Sequence, residues 1–72
     1  MLNPNQKVIL SVIRDYSKTA TKPVDLKTLK TMLIRDGMTE ETLSSNLRGL
    51  VKLGYLRNGI SHKRSYILIK WE

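Results

Sequence analysis

Residues 39–56, TEETLSSNLRGLVKLGYL, restrict the fold more tightly than any other stretch of the chain. Leu43, Leu47, Leu50 and Val51 recur at helical spacing and form one apolar stripe, with Ser45, Arg48 and Lys52 on the opposite face. Thr39 supplies a capping hydroxyl at the start and Gly54 a stop. Beyond Gly54 the period changes. Tyr55–Asn58 and Ser65–Trp71 are rich in aromatic and branched residues and read as strands. The basic loop GISHKR, residues 59–64, joins them. A tight turn at Asn58-Gly59 is the alternative, but the longer loop pairs the two apolar runs with each other.

Two more helices precede this segment. The first runs from about Pro4 to Ser17, with Asn3 as cap and Pro4 in the first helical position. Val8, Ile9, Val12, Ile13 and Tyr16 make its expected buried stripe. Lys18 to Pro23 breaks the pattern and leads into a short extended piece ending at Val24. Asp25 then caps a second helix, Leu26 to about Arg35, with Val24 and Leu29 at the two positions of a hydrophobic staple. Leu26, Leu29 and Leu33 face inward with Met32 beside them, and Gly37 is free to adopt the left-handed cap. The expected class is α+β, one domain over residues 1–72, with three helices followed by a two-stranded β-hairpin. A chain of this length builds a small core.

The charge balance bears on partners. Thirteen Lys and Arg stand against six Asp and Glu, a net +7. From residue 42 to 71 there is no acid, while Arg48, Lys52, Arg57, Lys63, Arg64 and Lys70 are basic. Asp25, Glu40 and Glu41 sit at expected helix starts, where negative charge favours the helix dipole. Such a chain attracts phosphate polyanions at long range and gains binding energy from released counterions. The alternative is a basic domain that is merely well solvated.

Other classes fit poorly. There is no cysteine, so a disulfide framework and a thiolate zinc site are excluded. No run matches a membrane span or the apolar core of a signal peptide, so the cytoplasm is the expected compartment. One His, no glycine-rich phosphate loop and no acid cluster of metal-binding spacing argue against an enzyme, a metal or a cofactor.

The order helix, short strand, helix, helix, strand, strand is similar to the winged helix-turn-helix domain. Residues 43–56 resemble the recognition-helix signature of small prokaryotic arsenic-repressor-like and multiple-antibiotic-resistance-repressor-like regulators. The match lies in Ser44, Leu47, Leu50, Gly54, Tyr55 and Leu56, and the basic loop followed by Tyr66-Ile67-Leu68 resembles the wing and its return strand. The 72 residues hold neither the extra helices many relatives use to dimerise nor a metal-ligand cluster or ligand pocket, so metal or drug sensing is not carried over.

The resemblance implies that the third helix lies in a major groove. Positions 41, 45, 48 and 52 then fall on one line, with Ser44 at its edge. Arg48 is the candidate for base readout, since its fork can engage guanine O6 and N7 together. Ser44 and Ser45 suit bases or phosphates, Lys52 suits a phosphate, and Asn46 lies nearer the core flank. Glu41 opposes the polyanion unless it meets a cytosine amino group. Gly49 reads either as a close approach to DNA or to helix two, or as simple tolerance. His62, Lys63 and Arg64 form the expected wing tip, with Arg57 on the strand before it; a charged, solvated turn is the alternative. Lys27, Lys30 and Thr31 on helix two, with Lys22, add phosphate contacts.

Tyr55, Tyr66 and Trp71 either close the core or, for Trp71, enter a dimer contact, as Ile9 or Ile13 would if their stripe is wider than one core needs. The expected function is sequence-specific binding of double-stranded DNA by a small transcriptional regulator. A homodimer is open, and no small-molecule effector is evident. Two alternatives stand beside it: a protein–protein interaction module on the same scaffold, and a non-specific DNA-binding accessory in replication or packaging.

Overall fold

The computed structural model describes residues 2–19, 23–34, 36–59 and 64–70, and of Thr19 the backbone alone. It is α+β. Helix α1 spans Pro4–Thr19, β1 Val24–Asp25, α2 Leu26–Ile34, α3 Glu40–Lys52, β2 Leu56–Asn58 and β3 Ser65–Leu68. The strands form one antiparallel sheet in the order β1-β3-β2.

The helix ends follow local chemistry. Asn3 caps α1 by accepting from the Gln6 N–H at 2.7 Å, and Gln6 Oε1 accepts from the Asn3 N–H at 3.0 Å. This reciprocal box satisfies two backbone donors at once. Asp25 Oδ1 accepts from the Thr28 N–H at 2.7 Å and starts α2. At the other end of α2 the chain turns through Gly37 at φ +100°, with Gly37 N–H donating to Ile34 and Met38 N–H to Leu33. Gly37 thus takes the left-handed cap its position suggests.

The sheet has three strands, not the two of the expected hairpin. Val24 pairs with Tyr66 and Asp25 with Ser65, so β1 lies along the edge of β3 that β2 leaves open. The unpaired N–H and C=O groups of that edge gain partners, and the Leu26 N–H donates to the Arg64 carbonyl at 2.7 Å. On the other side Leu56 pairs with Leu68, Arg57 with Ile67 and Asn58 with Tyr66. Arg57 therefore faces Ile67 rather than Ile60, and the longer loop joins the strands. Residues 60–63 of that loop lie outside the described residues, as does Trp71. Tyr55, expected within β2, precedes it; its carbonyl accepts from Ile69 N–H at 2.8 Å.

The core sits between the three helices and one face of the sheet. Ile9, Leu10, Ile13, Leu29, Leu33, Leu43, Leu47, Leu50, Val24 and Leu56 are all buried, and Leu2 closes one end. The buried side of α1 differs from the expected stripe. Leu10 is inside, Val12 and Tyr16 are half-buried, and Val8 is 47% exposed. At about 100° per residue, Ile9, Leu10 and Ile13 share one arc and Val8 lies well round from it. Ile9 and Ile13 have no exposed surface, which removes them from any dimer contact.

Candidate nucleic-acid interface

Helix α3 buries one side in the core and has three others: a flank against α1, a flank bordering a cleft, and an exposed side. Its start is fixed by Thr39, whose hydroxyl accepts from the Thr42 N–H at 3.1 Å. Its end is fixed by Gly54 at φ +86°, where Gly54 N–H donates to Val51 and Tyr55 N–H to Leu50. Those two bonds satisfy carbonyls that a helix end otherwise leaves open. Between the caps, Leu43, Leu47 and Leu50 are buried, which locks the rotation of the helix about its axis.

One flank of α3 meets α1. Asn46 Nδ2 donates to the Thr42 carbonyl at 2.8 Å, and its Oδ1 accepts from Asn3 Nδ2 at 3.1 Å. Asn46 is thereby occupied in joining the two helices. Gly49 lies on the same flank. A Cβ placed there would stand 3.1 Å from Gln6 Nε2. Within the fold, the close neighbour of this glycine is therefore the end of a flexible side chain on α1, not α2. The cost of glycine inside a helix is local and visible in sequence, whereas its neighbour across the fold is not.

The opposite flank borders a cleft of about 240 Å³ between α3, the start of α2 and the sheet. Leu26 and Val51 supply apolar lining; Ser44, Arg48, Asn58, Arg64 and Tyr66 supply polar groups. Asn58 and Tyr66 are paired residues and share one face of the sheet. Burial pushes the Tyr66 phenol above its ordinary value of 10.0, while the charges of Arg48 and Arg64 pull it back. Both guanidinium groups therefore act on one hydroxyl. Arg57 alternates to the other sheet face, away from the cleft.

The third side of α3 is exposed. Ser45, Arg48 and Lys52 lie on it, with Glu41 in the first turn and Ser44 half-buried at its margin. Among the described residues neither Arg48 nor Lys52 is in a salt bridge. Lys30 is placed otherwise. Its Nζ lies 2.6 Å from Glu40 Oε1, tying α2 to the start of α3. That hydrogen bond, together with the Lys30 charge, holds the Glu40 carboxyl below its ordinary 4.5. Lys27 is exposed on α2, and Thr31 donates its hydroxyl to the Lys27 carbonyl.

Of the ten residues singled out from sequence, Ser44, Arg48 and Arg64 meet at the cleft, while Ser45 and Lys52 stand on the adjoining exposed face. Lys27, Lys30 and Arg57 lie elsewhere, and His62 and Lys63 fall outside the described residues, as does Lys22. Tyr66 and Asn58 are additions from the fold; strand pairing with a chosen register was the one signal that could have put them there. Among the described residues no three His, Cys, Asp or Glu side chains gather as a metal site needs, and no helix is long and apolar enough to cross a membrane.

Comparison with known proteins finds no match to a family model, to a curated protein or to a solved structure.

Proposed function

We propose that the chain is a sequence-specific double-stranded DNA-binding protein of the winged helix-turn-helix kind, acting in the cytoplasm as a small transcriptional regulator. The observation that carries this reading is the exposed side of α3. It bears Ser45, Arg48 and Lys52 opposite three buried leucines, on a chain of net +7. A helix so oriented fits a major groove, with hydroxyls and a guanidinium fork at base edges and an ammonium group at phosphate. The basic loop 59–64 then reaches the backbone or the minor groove, where negative potential favours Arg. Occupying an operator excludes or recruits polymerase. One domain of this size covers little duplex, so tight specific binding calls for a second copy on an adjacent half-site.

The test is a two-dimensional NMR titration of isotope-labelled protein with a mixed-sequence duplex at low and at physiological salt. Shifts in residues 44–52 and 57–64 that fade as salt rises are expected. No shift even at low salt would sink the reading and turn the search to an acidic protein partner. Affinity that is salt-steep but equal for all duplexes would instead indicate a non-specific accessory role.

A further inference from the structure

The cleft beside α3 has a chemistry of its own. Two arginines, Arg48 of α3 and Arg64 just before β3, line it together with Ser44 and Tyr66, and among the described residues no carboxylate lines it. Its volume of about 240 Å³ falls below the roughly 300–1,000 Å³ of pockets that enclose a whole small molecule. It suits a single anionic group at the end of something larger. A planar carboxylate is matched by one guanidinium fork, whereas a tetrahedral oxyanion offers acceptors in more directions. One arginine and one hydroxyl residue from α3, facing another such pair at the start of β3, fit the second geometry better.

We infer that this cleft binds a phosphoryl group, with the Arg48 and Arg64 guanidinium groups on its oxygens and Ser44 and Tyr66 as hydroxyl donors. Two sources carry that chemistry: a phosphodiester of the duplex backbone and a free phosphate monoester. The first rests on the DNA reading above; the second does not. Arg48 belongs both to the cleft and to the exposed side of α3. A free phosphate monoester in the cleft therefore draws on a side chain the duplex needs, and weakens duplex binding.

The experiment follows the side-chain Nε–H signals of Arg48 and Arg64 and the Tyr66 amide by NMR, with Ser45 and Lys52 as reporters of the exposed face. Inorganic phosphate, phenyl phosphate, sodium acetate and sodium chloride are added at matched ionic strength, and a short duplex is added separately. Arg64→Gln, Tyr66→Phe and Ser44→Ala are compared after their folded spectra are checked. A shift of the cleft signals by phosphate or phenyl phosphate, but not by acetate or chloride, assigns the free monoester. A shift by the duplex alone, with affinity lowered roughly tenfold in Arg64→Gln, assigns the backbone. Cleft signals that stay still with every ligand overturn the inference, and so do equal shifts by acetate. Movement of Ser45 and Lys52 with a silent cleft overturns it while leaving the DNA reading intact. Phosphate-driven cleft shifts with no response to duplex do the reverse.

Discussion

Arg48 stands where two surfaces of α3 meet, and this sets what its removal should do. Arg48→Ala is expected to weaken the preferred duplex by about 1–3 kcal/mol and to relax specificity at one base pair. Lys52→Ala should weaken all duplexes alike and lower the salt slope by about one. Binding curves for both variants over a salt series check this, and wild-type affinity in Arg48→Ala would remove the assigned role. Gly49 makes a prediction about stability alone. Alanine in place of glycine within a helix gains about 1 kcal/mol. The contact that opposes it is the far end of the Gln6 side chain at 3.1 Å, which can give by a few tenths of an ångström. Gly49→Ala is therefore expected to raise the urea midpoint by somewhat less than the full helical gain, with the remainder appearing in a Gln6→Ala background. Glycine's presence at this position was legible as an oddity; its neighbour was not, because forty-three residues separate the two in the chain.

At the scale of elements, α3 was the most legible part of the molecule. Its period, its Thr39 cap and its Gly54 stop are local signals, and the buried leucines and exposed cations fall where that period puts them. Gly54 sits at φ +86° with nothing within 4 Å of where a Cβ would be. Gly54→Ala is accordingly expected to cost about 1–2 kcal/mol through backbone conformation alone, and Gly54→Asn should recover part of it. Thermal melts of the pair measure this, and an equal loss in both would point to a contact instead. Helix α1 was harder to read. Val8, Ile9, Leu10, Val12 and Ile13 cover an arc of roughly 200° with Val8 and Leu10 at its two ends, so periodicity alone did not choose between those two for the core. The third strand was equally hidden. A two-residue extension at Val24–Asp25 has too little pattern to announce a partner, and only the open edge of β3 gives it one.

For the whole molecule, two groups make stability depend on pH, one at each end of the scale. The Lys30–Glu40 pair joins α2 to α3, and its carboxyl is held low. The stability it lends is present above Glu40's ordinary 4.5 and is lost as pH falls through the lowered folded value. In Lys30→Met the decline of stability below that pH is expected to be shallower, by a small amount because the pair is at the surface. Tyr66 works at the opposite end of the scale. With its folded pKa raised by burial, stability falls as pH climbs above 10.0 and through the raised value, since the unfolded chain then binds fewer protons. Tyr66→Phe should lack that component of the alkaline fall. Urea titrations across pH for both variants test this, and an unchanged profile in either would remove its assigned group.

Sequence alone determined the number and order of the helices, their caps, the longer loop between β2 and β3, and the exposed side of α3 that carries the candidate interface. These depend on residues within a turn or two of each other, where spacing translates directly into a face. Tertiary structure alone decided the buried arc of α1, the third strand, the Gly49–Gln6 approach, the Lys30–Glu40 pair and the cleft shared by Arg48, Arg64 and Tyr66. Each of those depends on how separate elements meet, and which of several suitable neighbours come together is settled only when one packing of the core excludes the others.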